Sequence, residues 1–262
     1  MTPSEYNDYT QYYALKCKPK GVLSAYYDVA KDFYLDDKYD VFTAGMFSAD
    51  VDEHVRIQAS RIIPPELKEG GNYLDAGCGI GHFLKYVADK HPKSNFLGVN
   101  VSPMQIAEAV KRGHTGENIE YRESSYDELD FIEDDSLDGA YFLQSIGYRP
   151  LVDTFAGLKR TMKVGSWLSV VDMSQIDDPD TNGAYEIKQI QDAWHYMLFP
   201  LDYQLEVARR HGFRPVVVNR NLNMFLDYQP WEDMLVNGLK DFHEHTPLAP
   251  IKVTEVVYQK VV

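Results

Sequence analysis

The stretch Tyr73-Leu-Asp-Ala-Gly-Cys-Gly-Ile-Gly-His-Phe83 decides how the rest of the chain is read. Tyr73 to Ala76 is a short apolar run of strand character, and His82 to Lys90 has helical periodicity, with Phe83, Leu84, Val87 and Ala88 on one face. Three alternate glycines, Gly77, Gly79 and Gly81, join the two. Glycine permits the tight turn and lets a ligand approach the backbone closely. The helix start that follows presents free amides. A dinucleotide loop needs glycine at the first, third and sixth positions. Counted from Gly77, the sixth position is His82, so that spacing fails. Asp75, two residues before the first glycine, also has no role in a pyrophosphate loop. An acid there suits a ligand carrying an ammonium and a sulfonium, which points to S-adenosylmethionine (SAM).

Outward from this loop, strands and helices alternate. Strands are expected at Asn95 to Val101, Asn118 to Arg122, Ser136 to Leu143 and Trp167 to Asp172. A helix starts at Pro103 with Ser102 as its N-cap, and another runs from Val152 to Met162. The helix Asp202 to His211, the strand Phe213 to Val218 and a last strand Ile251 to Tyr258 complete the pattern. The fold class is α/β: a Rossmann-like, seven-stranded, mostly parallel sheet with helices on both faces and an antiparallel last strand. Residues 1–70 form a helical N-terminal cap, with helical texture in Tyr12 to Asp28 and Asp52 to Ile63. Residues 71–262 form the core, with inserts at 174–199 and 219–250.

The formal charge is −14, from 26 basic and 40 acidic residues, which opposes bulk binding to a nucleic acid. Hydrophobic residues make up 44% of the 262, which excludes disorder over most of the length. Two cysteines cannot build a disulfide framework, and there is no CxxC zinc signature; no residues are assigned to a metal. The first residues lack a signal peptide's basic and apolar regions, and no apolar run is long enough for a membrane span. The expectation is a cytoplasmic protein acting on a small molecule, its oligomeric state open.

Tyr73 to Phe83, Gly98-Val-Asn-Val-Ser-Pro-Met-Gln105, Tyr121-Arg-Glu-Ser-Ser-Tyr126, Asp135-Ser-Leu-Asp138 and Met162-Lys-Val-Gly165 together resemble the class I SAM-dependent methyltransferases. The resemblance covers about residues 72–218. It implies that Gly77, Cys78, Gly79 and Gly81 pass the methionine part of SAM, with Asp75 acting through the loop or the amino group. It places Asn100, Val101 and Gln105 at the ribose and adenine, Ser125 and Tyr126 at the adenine edge, and Gln144 facing the transferable methyl. Most members carry an acid where this chain has Asn100. An amide there, with Gln105 five residues on, is similar to the subgroup of cyclopropane-fatty-acid synthases and of sterol, tocopherol and isoprenoid diphosphate C-methyltransferases. Tyr27-Asp28 and Phe42-Thr-Ala-Gly-Met-Phe47 resemble the Tyr-rich N-terminal helices of that subgroup.

The subgroup implies C-methylation of an isoprenoid or isoprenoid diphosphate. O- or N-methylation of a specialised metabolite, and SAM binding without catalysis, stand as alternatives. An alkene acceptor needs aromatic faces for its cation and a base for the proton. The rings on offer are Tyr26, Tyr34, Phe47, Tyr148, Trp194, Tyr196, Phe199, Phe225 and Trp231. The subgroup often has Glu near the end of strand four, but the segment here is Leu143-Gln-Ser-Ile-Gly-Tyr-Arg149. Glu186, His195 and Tyr148 are the substitute catalytic candidates. A diphosphate substrate would call on Mg²⁺ or on Arg149, Lys188, Arg220 and the histidines His243 and His245.

Overall fold

A computed structural model describes residues 1–34, 51–63, 67–176, 187–188, 191–192, 195–222 and 251–262. The helices are α1 (Pro3–Lys16), α2 (Lys20–Tyr34), α3 (Val51–Ile62), α4 (His82–Lys90), α5 (Pro103–Lys111), α6 (Leu151–Thr161) and α7 (Leu201–Arg210). The strands are β1 (Asn72–Ala76), β2 (Asn95–Asn100), β3 (Ile119–Glu123), β4 (Leu137–Leu143), β5 (Met162–Gln175), β6 (Phe213–Asn219) and β7 (Ile251–Lys260). They form one sheet in the order β3-β2-β1-β4-β5-β7-β6. The first five are parallel, and β7 runs antiparallel between β5 and β6. The expected architecture is therefore present, including the reversed last strand.

Side-chain alternation sorts the core into two layers. Leu74, Ala76, Ala140, Phe142, Leu168 and Val170 face a layer built by α6, α7 and α1. Tyr73, Tyr141 and Val171 face the opposite layer, with Val55 and Ile62 of α3 and Phe83, Leu84 and Val87 of α4. The carboxyl ends of β1 and β4 thus lie between two packed layers, the usual place for a ligand in an open α/β sheet.

Four local readings change. The expected helix Tyr12 to Asp28 is two helices, because Pro19 bars helical backbone at the residue before it and Cys17 turns extended as the cap of α1. The helix expected to run to Met162 stops at Thr161. Met162 is already extended and opens a 14-residue strand, with Gly165 left-handed at φ +88°. Ser174 and Gln175 belong to β5, paired with Lys252 and Ile251, so the first insert starts later than residue 174. Asn219, expected to open the second insert, is the last residue of β6.

On α3, Gln58 is 1% exposed, and neither atom of its amide has a hydrogen-bond partner. An unpaired buried amide costs about 1–3 kcal/mol. Gln58→Met should therefore raise stability by about that amount, read as a higher urea midpoint with an unchanged slope.

Candidate functional site

The glycine turn takes its shape from three left-handed backbones, at φ +89° for Gly77, +55° for Gly79 and +73° for Gly81. Gly77 and Cys78 both donate their amides to the Val99 carbonyl, at 3.0 and 3.1 Å, which binds the turn to β2. A Cβ on Gly77 would lie 2.6 Å from Cβ of Ser145, whereas one on Gly79 would meet nothing within 4 Å. Gly79 therefore presents bare backbone to open space, while Gly77 is packed from behind. Gly81 serves as N-cap of α4 with no side-chain bond across the helix start.

That open space is a cavity of about 1040 Å³, mouth included, at the carboxyl ends of β1, β2 and β4. All eleven residues expected at the cofactor line it: Asp75, Gly77, Cys78, Gly79, Gly81, Asn100, Val101, Gln105, Ser125, Tyr126 and Gln144. Sequence reading missed Leu23, His82, Phe83, Leu143 and Ser145 as lining residues, and named Tyr27 only for the N-terminal helices it resembles. Leu23 and Tyr27 share one face of α2 by their spacing of four, and that spacing was the available signal.

Several expected contacts are already occupied within the protein. Asn100 Nδ2 donates to Gly79 O at 3.1 Å and to Gln105 Oε1 at 2.7 Å, and its Oδ1 accepts from the Ser102 amide. Its donors thus join the glycine turn to α5, leaving acceptor capacity on Oδ1. The Ser125 hydroxyl donates to Asp127, whose other oxygen pairs with Arg149 Nε at 2.7 Å. The Tyr126 hydroxyl donates to Ser145 O at 2.5 Å. Ser102 caps α5, and its hydroxyl donates to Asp28 of α2 at 2.8 Å.

Of the catalytic candidates, Tyr148 lines the cavity. Burial pushes its phenol well above the ordinary range, so it is a proton donor at neutral pH and no base. His195 stands outside the lining set, its ring 5.1 Å from that of Tyr26, its backbone left-handed at φ +54° and its Nδ1 without a partner. Burial and then Lys18 lower its proton affinity, so it is neutral at pH 7. Glu186 lies outside the described residues, as do Phe47, Trp194, Phe225, Trp231, His243 and His245. The cations considered for a diphosphate are paired: Arg149 with Asp127, Lys188 with Asp192 and Arg220 with Asp202. No group of three or more metal-ligating side chains occurs among the described residues. No helix among them is long and apolar enough to cross a membrane.

Two carboxyls stand out electrostatically. Asp75 is 3% exposed, and burial pushes it up to about 7. The Tyr141 phenol beside it, outside strict hydrogen-bond geometry, lowers that only in part, and no cation contributes. Asp172 at the end of β5 is fully buried and likewise pushed up to about 7, although the Tyr196 hydroxyl and backbone amides bond it. Sequence reading missed Asp172. The fit to SAM rests on Asp75, an acid without a cation at the cavity wall, and on the bare backbone of Gly79. A ligand bringing an ammonium supplies the missing charge.

A carboxyl raised in the fold holds its proton more tightly folded than unfolded. Its contribution to stability is present below the ordinary pKa and is lost as pH rises toward 7. Each raised unit is worth about 1.4 kcal/mol. The urea midpoint of the free protein should therefore fall between pH 5 and pH 8. Asp75→Asn should flatten that fall and be less destabilising at pH 8 than at pH 5.

Residues 74–165 match a family model described as a methyltransferase domain. The sterol 24-C-methyltransferase erg6 of Schizosaccharomyces pombe is 26% identical over 174 residues, 62% of this chain and 44% of that protein. The chain spans between 36% and 48% of the length of the first curated relatives it matches. Among solved structures, geranyl diphosphate C-methyltransferase from Streptomyces coelicolor A3(2), in complex with Mg²⁺, geranyl diphosphate and S-adenosyl-L-homocysteine, superposes with a TM-score of 0.68 at 14% identity. That match covers 89% of this chain and 97% of that one. The [4+2]-cyclase SpnF superposes with a TM-score of 0.72 at 17% identity, covering 94% and 98%. At these identities the structures share the fold. Over residues 74–165 the chain thus matches a methyltransferase domain, within a fold shared with solved methyltransferases.

Proposed function

We propose that the chain transfers the methyl group of SAM to a carbon of a small apolar acceptor, an isoprenoid being the favoured class. The carrying observation is one cavity, lined both by the glycine turn with Asp75 and by the apolar and aromatic side chains Leu23, Tyr27, Leu143 and Tyr148. SAM, when bound, supplies an electrophilic methyl on a positive sulfur.

The chain's own residues then have three tasks. Gly79 and its neighbours accept the ligand against backbone, and Asp75 receives its ammonium. Leu23, Tyr27 and Phe83 keep water from the line of attack, which matters because catalysis here is chiefly alignment and exclusion of solvent. Tyr148 presents a ring to the acceptor, held edge-on by Tyr27 at 5.5 Å and by Tyr196 at 4.7 Å. Such a face stabilises positive charge developing on an alkene. The methylated cation then loses a proton to Glu186 or His195, the remaining catalytic candidates, which restores the alkene.

Within that class, the pairing of Arg149, Lys188 and Arg220 favours a neutral isoprenoid over its diphosphate. Each ion pair would have to break before it could meet a phosphate. The fold shared with a [4+2]-cyclase keeps a second reading in view, in which SAM is bound and no methyl leaves it.

Two measurements test the reading. Purified protein with methyl-tritiated SAM should label farnesol or squalene at carbon, with geranyl diphosphate plus Mg²⁺ a poorer acceptor. Label on oxygen or nitrogen would support the O- or N-methyltransferase alternative, and cofactor binding without transfer to any acceptor the second reading. Gly79→Val, whose side chain enters open space, should weaken S-adenosylhomocysteine binding at least tenfold by calorimetry. Its left-handed backbone should lower stability by only about 1–2 kcal/mol. Gly77→Val is a poorer probe because Ser145 blocks it in the fold.

A further inference from the structure

We infer that Asp172 is a positioning residue for the aromatic part of the cavity wall, fixing through Ile146 and Tyr196 the turn that carries Gln144 and Tyr148. The inference rests on the methyltransferase reading above. Neither Asp172 nor Tyr196 lines the cavity, so both act through other side chains.

The geometry is that of a three-way tie. One carboxylate oxygen of Asp172 accepts the Ile146 amide at 3.0 Å, at the start of the short 3₁₀ turn Ile146–Tyr148. The other accepts the Met173 amide at 2.7 Å and the hydroxyl of Tyr196. Tyr196 is 2% exposed, and its ring meets that of Tyr148 edge-on at an interplanar angle of 83°. Gly147 has no room for a side chain, because a Cβ would overlap the Tyr196 ring, and its carbonyl accepts the Met197 amide at 2.7 Å. Asp172 therefore clamps both sides of the Gly147–Tyr196 contact.

The clamped turn holds an unfavourable conformation. Gln144 is left-handed at φ +52°, its amide donating to Val171 O at 2.8 Å. A non-glycine residue stays in that region only where its surroundings over-determine it. Ser145 is held from the other side, its hydroxyl donating to Ala76 O at 2.5 Å. A fully buried carboxylate is an expensive anchor compared with a neutral residue. It accepts from three donors on three segments at once, which no apolar residue of its size can do.

The test uses the whole chain and the variants Tyr196→Phe and Asp172→Asn. Tyr196→Phe keeps the ring and removes only the hydroxyl. Three quantities are read: S-adenosylhomocysteine affinity by calorimetry, amide hydrogen exchange across residues 144–148, and kcat and KM with any acceptor that turns over. The expected result is at least tenfold faster exchange at the turn in both variants, with cofactor affinity within twofold of the parent. With an acceptor, kcat should fall at least tenfold while KM for SAM is unchanged. Unaltered exchange at the turn overturns the inference, as does a loss of cofactor affinity matching the loss of turnover. A parent protein that binds no S-adenosylhomocysteine overturns the methyltransferase reading instead. The exchange comparison still judges whether Asp172 holds the turn.

Discussion

The structure depends on a backbone constraint at one corner. The chain must leave a buried parallel strand, reverse within five residues, and enter a helix whose first amides face outward. Three left-handed residues in alternate positions achieve this, and only glycine adopts that conformation without steric penalty. The two amides that Val99 accepts fix the turn to β2, so the corner moves with the sheet as one body. Asn100 extends the same attachment to α5. What Gly79 leaves exposed to the cavity is bare peptide backbone, a surface suited to a ligand that must come very close.

Most of this was legible in the sequence because each signal was local. The strand, the glycines and the face of α4 lie within nineteen consecutive residues, Asn72 to Lys90. Ser102 before Pro103 marked the start of α5, and the cap bond from its hydroxyl to Gln105 is present at 3.2 Å. All eleven expected cofactor residues line one cavity for the same reason: they follow the ends of consecutive strands. The failures were of two kinds. Lys18-Pro19 was passed over inside a helical texture, although a proline constrains the residue before it. The role of Asp172 was invisible because its partners, Ile146 and Tyr196, lie 26 and 24 residues away in sequence and meet it only in the folded state.

The cavity wall is built in two ways. Part of it is glycine backbone with one uncompensated acid, Asp75. Part of it is rings and aliphatic side chains on α2 and on the turn after β4, with residues 195–199 packed behind Tyr148. Arg149 links these parts: its guanidinium pairs with Asp127 and also donates to the Lys18 carbonyl at the break between α1 and α2. A charged residue expected to meet substrate thus serves the framework. The polar character of the lining comes chiefly from neutral groups, the exceptions being Asp75 and the ion-paired Arg149.

The placement of β7 carries one more consequence. Residues 251–260 pair with β5 on one side and β6 on the other, so the sheet cannot close from the amino end onward. Until that last segment arrives, β5 presents a long open edge, and β6 has no neighbour. Such an edge invites pairing with other chains. Once residues 1–250 are made and before residues 251–260 follow, the sheet therefore stays split, with the β5 edge open to another strand.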